Sequence, residues 1–167
     1  MKDSTRRQFI RSAALGVACF PAIVRGQKAA KKRPLPLAFS TLGCPRWDWR
    51  TILDQAAKSG YAAIELRGLQ GEMDLTKRPE FGGARLAESL KDLAALDLRV
   101  SDLGASTRLH EDDAAKRTIQ LDEGKRFIDL AHRLRAPYVR VFGDKIVPGQ
   151  PKQASVERVI AGLRELG

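Results

Sequence analysis

The chain has two cysteines in 167 residues, Cys19 and Cys44. Cys19 falls in a leader-like N-terminal stretch, so a mature chain keeps Cys44 alone and has no internal disulfide to rely on. Aromatic residues make up only 6% of the chain, while Leu and Ala dominate, the balance of a helix-rich α/β domain. No apolar run approaches the roughly 20 residues that a membrane-spanning helix needs. The longest weakly apolar stretch, Ser12 to Val24, is broken by Pro21, which leaves no stable span after cleavage of a leader. The glycines do not form a Gly-x-Gly-x-x-Gly turn after the first strand, and this weakens any dinucleotide-binding reading. Uncompensated charge is also scarce once it is located. The net charge is +10, but residues 1–33 carry nine Lys or Arg against one Asp, and residues 34–167 carry 21 against 19. A body this close to neutral argues against a nucleic-acid partner.

What is present begins with that basic leader. Thr5-Arg6-Arg7-Gln8-Phe9-Ile10-Arg11 matches the bacterial twin-arginine export pattern, followed by the weakly apolar run. Residues 1–26 read as a twin-arginine signal peptide with a cleavage point after Val24-Arg25-Gly26. Residues 27–36, with Lys28, Lys31, Lys32, Arg33 and two prolines, read as a solvated linker. The destination is periplasmic or otherwise extracytoplasmic.

From residue 37 onward the chain repeats a strand–loop–helix unit four times. The first strand is Leu37 to Leu42, and Asp48 caps a helix whose apolar stripe is Trp49, Ile52, Leu53, Ala56 and Ala57. Gly60 ends that helix. The second strand is the stretch Gly60-Tyr61-Ala62-Ala63-Ile64-Glu65-Leu66-Arg67-Gly68, followed by a long polar loop to about Gly83 and a helix with Leu86, Leu90, Leu93 and Ala94 on one face. The third strand is Leu98 to Leu103, with Gly104 to Thr107 as its loop. Its helix opens with Glu111, Asp112 and Asp113 and closes with His132, Arg133 and Arg135, complementing the helix dipole, with Phe127, Leu130, Ala131 and Leu134 inside. The fourth strand is Tyr138 to Phe142, and Val156, Val159, Ile160 and Leu163 mark the last helix.

Strands alternating with helices predict a parallel sheet. In the second strand Ile64 and Leu66 share one face, leaving Glu65 and Arg67 on the other. In the fourth, Val139 and Val141 oppose Arg140 and Phe142. Such alternation suits a TIM-type α/β barrel, with helices outside and polar residues lining the pore, better than a flat sheet covered on both faces.

These residues also carry a likeness. Gly60-Tyr61 with Ile64-Glu65-Leu66-Arg67 resembles the second strand of the xylose isomerase-like TIM-barrel superfamily, which includes sugar phosphate isomerases and epimerases and endonuclease-IV-type nucleases. Gly71 to Leu75 with Pro79-Glu80-Phe81 resembles the loop after that strand, and Ala131 to Gly143 resembles the third helix and fourth strand. The resemblance implies a metal-dependent isomerase or epimerase in which a divalent ion (Mn, Co, Mg or Zn) bridges the oxygens of a sugar or polyol. It also implies Glu, Asp, His and Glu ligands near the ends of the fifth to eighth strands, so no residue here is assigned to the metal or to catalysis. Four units make half a barrel, and residues 37–167 read as the N-terminal part of a longer protein, inactive as a fragment. Two copies closing one barrel as a homo-oligomer is the alternative.

The candidate substrate-binding residues are Glu65, Arg67, Arg140, His110 and Trp47. Glu65 is a pore-facing carboxylate whose plain alternative is an ion pair with Arg140 or Arg67. Arg140 offers forked donors to a substrate oxygen or phosphate. Arg67 and Asp144 lie near the mouth, or on a solvated rim. His110 follows the third strand, as a ligand, an acid–base group or polar surface. Trp47 could stack on a sugar, whereas Trp49 belongs to the core stripe. Cys44 is a small mouth residue without a histidine partner. A non-catalytic sugar- or partner-binding barrel and an endonuclease-IV-type nuclease are the competing readings.

Overall fold

A computed structural model describes residues 37–167. The leader and linker assigned to residues 1–36 lie outside the described residues. Four strands, β1 (Ala38–Ser40), β2 (Ala63–Leu66), β3 (Arg99–Arg108) and β4 (Val139–Phe142), form one parallel sheet in the order β1-β2-β3-β4. Between and after them come α1 (Trp49–Ser59), α2 (Gly83–Ala95), α3 (Ala114–Leu134) and α4 (Lys152–Leu166). Sequential parallel order, with no reversal of direction across the sheet, is the winding of a barrel wall.

The helix ends follow their sequence signals. Asp48 caps α1 by accepting from the Thr51 amide at 2.7 Å, and Gly60 closes it at φ 76°. At α3 the start is shifted: the helix opens at Ala114 with Asp113 as its cap through the Lys116 amide, so Glu111 and Asp112 precede it instead of opening it, while His132 and Arg133 occupy its last turn as expected. Arg135, not a glycine, takes the left-handed position that ends α3.

The core lies on the helix side of the sheet. Ile52, Leu53 and Ala56 of α1 meet Ile64 and Leu66 of β2, Val100, Leu103 and Ala105 of β3, and Phe127, Leu130, Ala131 and Leu134 of α3. Trp49 is buried and meets Phe81 edge to face, with centroids 5.3 Å apart.

Four further details differ from the sequence reading. β1 ends at Ser40, because Thr41 turns into a short 3-10 helix, Thr41–Gly43. Its buried hydroxyl donates to the Gly68 carbonyl at 2.7 Å and accepts from the Arg67 amide at 2.9 Å, which pins the end of β2. The loop after β2 is not polar throughout: Leu69, Leu75 and Phe81 are fully buried, inserted at a spacing that matches neither helix nor strand period. In α2, Ala94 is exposed, and Ser89 is buried instead, donating to the Glu80 carbonyl. β3 runs on through Arg108, so Gly104 to Thr107 belong to the strand and not to its loop.

The length of β3 depends on a break in register. Ile64 pairs with Val100 but Glu65 pairs with Asp102, leaving Ser101 as a bulge. The extra residue re-phases the strand, so Leu103 and Ala105 join the core while Asp102, Gly104 and Ser106 point to the opposite face.

Candidate functional site at the strand ends

The face turned away from the helix core carries the charge. Glu65 and Arg67 reach it from β2 and the residue after it, Asp102 and Ser106 from β3, and Arg140 and Phe142 from β4. β2 and β4 are separated by β3, roughly 10 Å apart at about 4.8 Å per strand spacing. Their side chains nevertheless meet, because the β3 residue between them is Gly104, the register partner of Arg140. A Cβ on Gly104 would overlap Cδ of Arg67 and would lie 2.7 Å from Nη2 of Arg140. The missing side chain is the space that the Arg67 stem and the Arg140 guanidinium occupy.

Arg67 donates to the Gly104 carbonyl and to Oγ of Ser106, both at 3.2 Å. Arg140 approaches Oε1 of Glu65 at 3.8 Å, an ion pair beyond hydrogen-bonding distance. Both guanidiniums lie over the Phe142 ring, with Cζ 5.8 Å (Arg67) and 4.8 Å (Arg140) from its centroid. Burial, and next the like charge of Arg140, hold the Arg67 guanidinium below its usual pKa, while Glu123 and Glu65 oppose the shift. Glu123 of α3 accepts from the Ser106 amide and the Thr107 hydroxyl, which ties this part of β3 to the helix behind it.

Beside this group lies a cavity of about 180 Å³ lined by Arg67, Ser106, Arg108, Phe142, Asp144 and Lys145. His110 does not line it but faces Asp144, which does. It is 7% exposed, so it is not polar surface, and its Nδ1 faces Oδ1 of Asp144 at 3.7 Å without a hydrogen-bond partner among the described residues.

The structure thus brings Glu65, Arg67 and Arg140 together and sets His110 next to their cavity through Asp144. Trp47 lies in the turn after β1, 40% exposed, and lines none of the described cavities. Cys44 is half-buried against the core, and burial pushes its thiol pKa up, away from nucleophile chemistry. The sequence reading missed Gly104 and Ser106, because it ended β3 too early, and Asp102, because the Ser101 bulge that turns it to this face lay outside the reading. The signal was present in the alternation Leu103, Ala105, Thr107, all buried.

Among the described residues no group of three or more His, Cys, Asp or Glu could hold a metal ion, so the divalent ion implied by the resemblance has no fitting ligand set here. Nor is any helix among them long and apolar enough to cross a membrane.

No family model matches the sequence, and no curated protein matches it. Solved structures do. The probable 3-DHS dehydratase AsbF involved in petrobactin synthesis from Bacillus anthracis aligns with a TM-score of 0.60 at 16% identity, over 79% of this chain and 47% of that one. Protein SMc04130 from Sinorhizobium meliloti 1021 aligns with a TM-score of 0.58 at 19% identity, over 78% of this chain and 45% of that one. The chain spans about half the length of the solved structures it matches. At such identities the likeness speaks to fold alone: the described residues form four consecutive βα units of the TIM-barrel type.

Proposed function

We propose that this chain supplies the substrate-holding part of a sugar isomerase- or epimerase-type barrel, with Glu65, Arg67 and Arg140 as contacts to a sugar or polyol. One observation carries the reading. A carboxylate and two guanidiniums from β2 and β4 converge across Gly104, at the carboxyl ends of parallel strands where sites of this fold form. A carboxylate accepts hydrogen bonds from sugar hydroxyls and a guanidinium donates to sugar oxygens, so the group can orient a polyhydroxylated chain from both sides. The AsbF likeness widens the reaction class, since that protein is described as a probable dehydratase and one fold hosts several chemistries.

The divalent ion stays within the proposal. It would be held by residues other than the described ones, would polarise a substrate oxygen when bound, and is assigned no step here. Export belongs to the proposal too, resting on Arg6-Arg7 and the run after them.

Titration of the full chain with pentoses, hexoses and their polyols, followed by calorimetry, tests the reading. Binding that weakens at least tenfold in Glu65→Gln and Arg67→Gln, with circular dichroism unchanged, supports it. Absence of binding to every sugar and polyol sinks it, and tight binding to duplex DNA would favour the nuclease instead. For export, residues 1–33 fused to a folded reporter should send it to the periplasm, and changing Arg6 and Arg7 to Lys should stop it.

A further inference from the structure

The Arg140 guanidinium makes no hydrogen bond among the described residues, although it carries five donors and the side chain is 39% exposed. Arg67 uses two donors, on the Gly104 carbonyl and Ser106, which leaves three. The two forks share one aromatic platform and the gap above one glycine. Two like charges held this close repel each other unless something negative stands between them. Glu65 does so only partly, being 3.8 Å from Arg140. Glu123 is already engaged by Ser106 and Thr107. The adjoining cavity adds Arg108 and Lys145 against one carboxylate, Asp144, so positive charge also prevails there.

The geometry points to an oxyanion subsite: Arg67 and Arg140, stacked on Phe142, take a carboxylate or phosphate group of the ligand, whose polyol chain then runs towards Glu65. The inference rests on the sugar-site reading and sharpens it from neutral sugars to anionic ones. The chemistry is that of planar forked donors, which match two oxygens of one carboxylate or phosphate and hold them in a fixed direction, as an ammonium does not. Gly104 is the specificity device, since a methyl group there would take the space of the Arg67 stem and the Arg140 fork. Electrostatics add discrimination, because Glu65 and Asp144 repel an anion placed on either flank and leave the pair above Phe142 as its seat.

The test uses the whole chain and four probes: inorganic phosphate, a pentitol, the matching pentonate and the matching pentose 5-phosphate. The inference expects at least one of the two anionic sugars to bind tenfold or more tightly than the pentitol. Whether pentonate or phosphate wins identifies the anionic group. Arg140→Gln should erase the preference, Arg140→Lys should keep only part of it, and Gly104→Ala should reduce it. Equal affinity for neutral and anionic sugars would overturn the inference and leave the sugar-site reading standing. So would a preference that survives unchanged in Arg140→Gln. Arg140-dependent binding of inorganic phosphate without any sugar or polyol binding would support the oxyanion subsite and sink the sugar reading. Failure of all four probes sinks both. If Arg140→Gln does not fold, the Arg67 and Arg140 Nε–H resonances of the wild-type chain serve instead. They should shift on adding phosphate, and unmoved resonances would overturn the subsite.

Discussion

β2 and β4 are both four-residue strands of one parallel sheet, and both alternate apolar with charged or aromatic residues. Their burial nonetheless differs. Ile64 and Leu66 are fully buried, whereas all four residues of β4 are only partly so. β2 has a strand on each side, and behind it lie α1 and the inserted Leu69, Leu75 and Phe81. β4 pairs with β3 alone among the described strands, and a cavity of about 560 Å³ lined by residues of α3, β4 and α4 lies behind it. Alternation decides which face a side chain takes, and neighbours decide how deep it goes. The candidate site bridges the two regions, its Glu65 and Arg67 on the firmly packed side and its Arg140 on the looser one.

Core truncations should show the widest gap. Leu66→Ala is expected to lose about 2–5 kcal/mol of stability, as buried leucines do when they leave a cavity. Val139→Ala, in register with Leu66 through Leu103, should lose less than about 1 kcal/mol, because part of its surface is already open. Urea unfolding of both variants measures the difference, and equal losses would break the comparison. Gly104→Val comes next. Its branched side chain must displace the Arg67 stem and the Arg140 guanidinium, at an expected cost of about 1–3 kcal/mol, with a larger loss in ligand affinity than in stability. A variant that binds as tightly as the wild type would show that the forks do not need that gap.

The same contrast explains how much of the molecule was legible in sequence. The strand–helix order, the cap at Asp48, the stop at Gly60 and the α1 and α3 stripes follow local rules that act within a few residues. Glu65, Arg67 and Arg140 were legible as pore-facing because two-residue alternation is local as well. The bulge at Ser101 was not, since a bulge exists only in relation to the partner strand. Without it, β3 reads as a strand ending at Leu103, and Gly104 becomes a loop glycine instead of the floor of a site. The buried loop residues were missed for a similar reason, because two short 3-10 turns and three left-handed positions, at Gly68, Gln70 and Gly71, set their spacing. In α4 the apolar residues are legible as a stripe, but Ser155 and Gly162 are the ones buried.

Acid should act on the β2 side. Asp74 sits in the loop after β2 and reaches Lys77 and, on α3, Arg126, each at 3.5 Å. Burial pushes its pKa up, but hydrogen bonds from Thr76 and the charges of Arg126 and Lys77 outweigh that and leave it below its ordinary value. Glu80 behaves alike: burial raises it, and Arg78 at 2.8 Å brings it below the usual range. Carboxylates depressed in the folded state contribute stability that is fully present above their unfolded pKa values, about 3.9 for Asp and 4.3 for Glu. That contribution is lost as pH falls through the lower folded values. Unfolding midpoints should therefore hold at neutral pH and drop below about pH 4, with Asp74→Asn flattening the drop. A wild-type profile that Asp74→Asn reproduces in full would remove Asp74 as a clamp between the loop and α3.

The smallest effect is expected on α4. Leu163 is 51% exposed and Ile160 41%, while Gly162 between them is buried so closely that a Cβ would come 2.8 Å from Leu109 Cδ2. α4 therefore meets its neighbours through a small residue and leaves large ones uncovered among the described residues. Leu163→Ala should change stability by no more than about 0.5 kcal/mol, the range of surface positions. Gly162→Ala, a smaller change by volume, should cost more, since the added methyl must push Leu109 aside. Thermal unfolding of the two variants ranks them directly. If Leu163→Ala proves the costlier, the stripe is covered in solution, and the contrast between β2 and β4 would then measure which contacts the described residues include and not how firmly each strand is held.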